Sequence, residues 1–171
     1  MRGPSVGRGF TLIELLVVLV ILGILSTTVA LTIAPDPRRE AAAETRRLAL
    51  VLEAAMLEAQ AGRRQLAWSA DAEAYSFWEA ERTDLREGLW KPMTGDERFG
   101  RRRFGAGLRL VSVDVEGLSL PQGALLAFPH GDPPLFRIAL EGPRDESGAG
   151  GLIELRATPT GRVDIRTILK P

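Results

Sequence analysis

Hydrophobic and polar positions change rhythm twice along this chain. Residues 10–34 read FTLIELLVVLVILGILSTTVALTIA; eighteen of these 25 positions are hydrophobic and one, Glu14, is charged. An apolar run that long, without periodic polar breaks, predicts a helix that is greasy on every side. At ~1.5 Å per residue it reaches roughly 37 Å, enough for a ~30 Å hydrocarbon core with some tilt. Pro35-Asp36-Pro37 interrupts or kinks it, because each proline removes a backbone donor and crowds the preceding turn. Residues 38–61 then recover helical character with a different pattern. Leu48, Val51, Leu52, Ala55 and Ala59 recur at spacings of three and four, which makes one buried stripe. Glu44, Arg47 and Glu58 fall on the other side and are expected to be solvated, and Gly62 is placed to stop the helix.

Beyond Gly62 the period falls to two. Leu66/Trp68 and Tyr75/Phe77 alternate around Ala70-Asp71-Ala72-Glu73 and predict a hairpin. Residues 83–107 read as loop. Five strands follow, at Leu108–Val115, Ala124–Phe128, Leu135–Leu140, Leu152–Ala157 and Arg162–Ile168, each bounded by Gly, Pro or Asp clusters. Glu146-Ser147-Gly148-Ala149-Gly150-Gly151 reads as a flexible turn. The expected fold class is α+β, a long N-terminal helix packed on antiparallel sheet, with a membrane half followed by an amphipathic half.

Composition narrows the chemistry. The 171 residues are 45% hydrophobic, but the average conceals the split between a greasy helix and an ordinary domain. Zero cysteines exclude disulfides, zinc ribbons and thiol chemistry. The single histidine, His130, excludes a multi-histidine metal site, and its place in a turn beside Asp132 suits an exposed side chain. With 22 basic and 22 acidic residues the chain lacks the basic excess of a dedicated nucleic-acid binder. Asp114 and Glu116, two apart on one strand, share a face; a solvated face is the default and a cation or partner contact the alternative. No nucleophile context surrounds Ser5 or Ser119, so no enzyme activity and no cofactor are expected.

The apolar run is too long for a cleaved secretory signal, whose core has about 7–15 residues. Lys/Arg counts at its two ends are nearly balanced: Arg2 and Arg8 precede it, and Arg38 and Arg39 follow. Glu14, four residues into the run, is a charge tolerated at an interface or one with a purpose. Its context is Gly7-Arg8-Gly9-Phe10-Thr11-Leu12-Ile13-Glu14-Leu15-Leu16. This string resembles the N-terminal methylation motif of type IV pilin-like proteins, including the pseudopilins of type II secretion.

The resemblance implies a set of roles. Gly9-Phe10 would be cut by a prepilin peptidase and Phe10 would be N-methylated. Glu14 would meet the N-terminal amine of a neighbouring subunit during filament assembly. Both charges are expensive in lipid alone, and pairing lowers both costs. It further implies a leader at residues 1–9 in the cytoplasm, an inner-membrane anchor at 10–34, an amphipathic continuation at 35–62 and a periplasmic β-rich domain at 63–171. Partners would be other major and minor pseudopilins, the inner-membrane secretion platform and the lipid bilayer.

Leu125-Leu126-Ala127-Phe128-Pro129-His130-Gly131, Phe136-Arg137-Ile138-Ala139-Leu140, Gly161-Arg162-Val163 and Trp90-Lys91-Pro92 resemble the H-type minor pseudopilins. That implies a subunit that helps start or cap a secretion pseudopilus. The alternative is a minor pilin of pilus assembly or DNA uptake. For it, Arg101, Arg102 and Arg103, flanked by Phe99 and Phe104, would hold phosphates while the rings stack on bases. The bland reading is a solvated basic loop whose phenylalanines anchor it to the core, with Arg101, Arg102 and Arg103 as candidates for a partner contact. The overall charge balance favours it over DNA.

Overall fold

The computed structural model describes residues 11–32, 36–81, 89–144 and 150–169, with side chains of the first helix described as far as Ile24. Gly9, Phe10, Pro35 and residues 145–149 lie outside the described residues. The chain divides into two compact units, Met1–Asp36 and Pro37–Pro171.

In the first unit, α1 spans Leu12–Thr32. The Thr11 carbonyl accepts the Glu14 and Leu15 N–H groups at 3.1 and 3.3 Å, which starts the helix. Leu15 to Leu22 and Ile24 are exposed, as expected for a helix with no polar side to turn outward. Counted over the described residues, no helix is long and apolar enough to cross a membrane.

The second unit opens on α2, Pro37–Gln60. Proline suits a first helical position, where its missing N–H would have no partner anyway. The predicted stripe is buried, and Ala41, Thr45, Ala49 and Met56 widen it. The helix ends at Gly62, whose φ is +66°. Its N–H reaches the Ala59 carbonyl at 3.0 Å while the Arg63 N–H reaches Glu58 at 3.3 Å, so a left-handed glycine closes the last turn.

The antiparallel sheet expected against the helix is present as two five-stranded sheets. The first orders β3-β2-β1-β7, with β4 also paired to β2. It contains the predicted hairpin, β1 (Leu66–Ala70) and β2 (Ala74–Ala80), with β3 (Trp90–Pro92), β4 (Arg102–Arg103) and β7 (Leu126–Phe128). The second orders β10-β9-β8-β5-β6. Its strands are β5 (Arg109–Val115), β6 (Leu118–Leu120), β8 (Phe136–Arg144), β9 (Gly150–Ala157) and β10 (Val163–Leu169). Helix α2 contacts β1 and β7 of one sheet and β8 and β10 of the other. The core lies along this helix and is built from Leu48, Leu52, Trp68, Tyr75, Phe77, Phe128, Ile138 and Leu155.

The region expected to be loop carries β3 and β4, too short to show a period of two. The hairpin partner β6 was also missed, for the same reason. Gly150 and Gly151 belong to β9 and not to a turn. A Cβ on Gly142 of β8 would come within 3.3 Å of the Gly151 carbonyl, so glycine permits a close strand approach where the register shifts. Glu116 leaves the strand: β5 ends at Val115 and Glu116 sits in the turn with φ +51°, so it does not extend the Asp114 face. On the outer face of the second sheet Arg137 and Arg156 lie directly opposite each other. The buried Glu154 carboxylate receives both, at 3.9 and 2.9 Å.

Candidate functional site

Two regions hold the residues singled out by sequence. The first is the start of α1. Glu14 stands in its first turn, exposed, where the partial positive charge of the helix N-terminus favours a carboxylate. Leu12, Ile13, Leu15 and Leu16 surround it with exposed apolar side chains. The site therefore presents one exposed acid among exposed apolar side chains.

The second region is a strap from Met93 to Gly107 that runs against α2. Asp96 starts it: its carboxylate accepts the N–H groups of Arg98 and Phe99 at 2.9 and 3.2 Å. Partial burial pushes this carboxyl up, but the two N–H groups, Arg64 and Arg98 outweigh it and hold the group below the usual carboxylate value. Phe99 is fully buried, its ring centre 5.2 Å from that of Phe77. The guanidinium carbons of Arg64 and Arg98 lie 5.7 and 5.5 Å from the Phe99 ring centre. Phe104 is buried against Tyr75, with ring centres 5.3 Å apart.

Two of the three arginines of the basic triplet are held by ion pairs. Arg102 Nε lies 3.1 Å from Glu44 on α2, and Arg101 lies 3.6 Å from Asp71. Asp71 closes the β1–β2 turn by accepting the Glu73 and Ala74 N–H groups at 2.9 and 2.8 Å. Those N–H groups hold its carboxyl below the usual value, with help from Arg101 and, at longer range, Arg103. Arg47 donates to the Tyr75 hydroxyl at 2.8 Å. Burial still pushes that phenol up, with Glu44 adding to it and Arg47 and Arg102 opposing.

This corrects the expectation for the charged side of α2. Glu44 and Glu58 have side chains only 14% and 15% exposed and fasten the strap, Glu58 through Arg64 at 2.8 Å and Arg98 at 3.7 Å. Phe99 and Phe104 are buried in the core, so neither ring is presented at the surface for stacking on bases. The phenylalanines anchor the segment to the core, but Arg102 and Arg103 lie in a short strand and not in a loop.

His130 is exposed, yet its Nδ1 lies 2.9 Å from the Ala59 carbonyl and secures the end of α2. Asp114 pairs with Arg137 at 3.4 Å and accepts from Ser119 at 2.6 Å. Among the described residues there is no group of three His, Cys, Asp or Glu side chains placed to hold a metal. Sequence reading missed Glu53, which accepts the Val163 N–H at 2.7 Å across the domain. A helix glutamate beside a buried stripe carries no mark that distinguishes this from solvation.

The arrangement defines an α+β protein whose apolar helix begins beside an acid. The family described as "Prokaryotic N-terminal methylation motif" matches residues 6–30, so the chain carries that motif. The minor pseudopilin EpsH from the Type 2 Secretion System of Vibrio cholerae is similar in structure, with 15% identity and a TM-score of 0.47, covering 79% of this chain and 98% of that one. No curated protein matches the sequence.

Proposed function

We propose that the chain is a minor pseudopilin: made with a leader at residues 1–9, anchored in the inner membrane by residues 10–34, and assembled into a short periplasmic filament that serves type II secretion. It would act at or near the filament tip, in contact with other pseudopilins and the secretion platform. The observation that carries this reading is the methylation motif, with Glu14 one turn into an apolar helix whose described side chains are exposed. A prepilin peptidase would cut between Gly9 and Phe10, and Phe10 would be methylated. The new ammonium of one subunit and the Glu14 carboxylate of its neighbour would each remove the other's cost in lipid, so the pair fixes register during assembly.

Mass spectrometry of the mature chain tests the processing: the expected N-terminus is methylated Phe10, and Gly9→Leu leaves the precursor uncut. An intact Met1 start in cells with an active prepilin peptidase overturns the reading. Glu14→Ala is expected to leave a membrane-inserted chain with reduced incorporation and secretion. Normal incorporation by this variant would remove Glu14 from assembly. Salt-dependent binding of DNA, lost on replacing Arg101 to Arg103, would move the assignment to DNA uptake.

A further inference from the structure

The two flanks of α2 are finished differently. On one flank the strap closes the core with an extended segment: β4 pairs with β2, Phe99 and Phe104 fill the space beneath, and arginines reach Glu44 and Glu58. On the other flank lies an open groove of about 710 Å3 between the first half of α2 and the edge strand β10. Its floor is made of small or flat positions, among them Ala41, Gly142 and Gly151, with Ile153.

The edge is unpaired, and its geometry can be read from one bond. Val163 sends its N–H to Glu53 and not to β9. Antiparallel strands direct the N–H and C=O of alternate residues to the same side. Ile165 and Thr167 therefore direct theirs to the open edge, where among the described residues β10 pairs only with β9. Ile165 lies opposite Leu155 and Thr167 opposite Ile153, so their side chains stand on the core face of the sheet. Leu155 is fully buried, whereas Ile165 is 41% exposed. The core layer is thus one strand short at this edge.

We propose that the groove and the β10 edge accept an extended segment of a partner polypeptide as a sixth strand. The edge N–H and C=O groups of Ile165 and Thr167 call for a backbone, which an acyl chain cannot supply. The floor calls for apolar side chains at alternate positions. Arg46, exposed on the groove wall, calls for a carboxylate on the same face. A second copy of β10 does not meet that need from its core face, which carries Val163, Ile165 and Thr167; Asp164 alternates to the other face, although it lines the groove at the edge. The inference is independent of the filament reading, because it concerns only the domain's own edge.

The test uses the full chain in detergent micelles and a fluorescent ten-residue peptide. The peptide alternates valine with serine and has one central valine position replaced by glutamate. Saturable binding by anisotropy is expected. Ile165→Pro and Thr167→Pro remove edge donors and spare the β9 ladder, and each is expected to weaken binding about tenfold with unchanged circular dichroism. Arg46→Glu is expected to weaken binding similarly, and a peptide with lysine in place of glutamate to restore it. That charge exchange decides the matter if the proline variants unfold. Absence of binding at millimolar peptide, or binding indifferent to Arg46→Glu and to the peptide's charge, overturns the proposal. So does a dimer of the chain that Ile165→Pro dissociates, which would make the occupant a second copy.

Discussion

Phe99→Ala separates the two readings of the basic segment. The Phe99 ring is fully buried, meets Phe77 edge-on at 5.2 Å and has the guanidinium carbons of Arg64 and Arg98 5.7 and 5.5 Å from its centre. Truncating a buried phenylalanine costs about 3–5 kcal/mol, from lost transfer energy and the cavity left behind. The aromatic contact supplies about 0.5–1.5 kcal/mol of such a loss. Little relaxation is available to shrink the cavity, because the Asp96 turn at 2.9 and 3.2 Å and the Arg64 and Arg98 contacts to Glu58 hold the strap on both sides of the ring. We therefore expect about 4 kcal/mol, a large share of the ~5–15 kcal/mol that holds a domain together. Urea unfolding of the full chain in detergent, followed by tryptophan fluorescence, measures it. DNA binding measured on the same samples should not change. If Phe99 instead served to stack on bases, its loss would lower DNA affinity at nearly constant stability. A destabilisation under about 1 kcal/mol would refute the anchored-strap argument.

Three further outcomes follow from the same geometry. The Asp96 carboxyl is held below its usual value, so its stabilisation is present above the unfolded value of about 4 and is lost as pH falls through the folded one. Asp96→Asn should flatten the acid limb of a melting-temperature profile, and an unchanged limb would remove Asp96 from acid sensitivity. Tyr75 is the single tyrosine of the chain and its phenol is pushed up, so absorbance at alkaline pH should show ionisation above the usual value of about 10. The folded state keeps a proton that the unfolded chain releases, so stability should decline above that pH; Tyr75→Phe should abolish this decline. Gly62→Ala should cost about 1–2 kcal/mol in the same unfolding assay, since φ is +66° with open space around the missing Cβ.

The elements with strong periodicity were legible in the sequence. The α2 stripe, the Gly62 stop and the β1–β2 hairpin follow from spacing and local turn chemistry, which act over a few residues. Residues 83–107 were not legible, because β3 and β4 are too short to carry a period and are held by partners distant in sequence, such as Glu44 for Arg102. The division into two sheets was hidden for the same reason: the pairings of β7 with β1 and of β5 with β8 join strands far apart in the chain. In the candidate site, Glu14 stands out because a charge in an apolar run is conspicuous. Glu53 does not, because its partner Val163 is distant in sequence, and Arg46 and Ile165 do not, because their significance lies in what is missing next to them.

On the outer face of the second sheet, Arg137 and Arg156 face each other with two acids beside them: Glu154 contacts both, and Asp114 lies 3.4 Å from Arg137. The four positions therefore form one heritable unit. A neutral replacement of the glutamate would leave Arg137 with Asp114 but take from Arg156 its 2.9 Å partner, so Arg156 would be expected to change with it. Among homologous chains, substitutions at these positions should appear together, and a lone change at Glu154 should be the rarest of them.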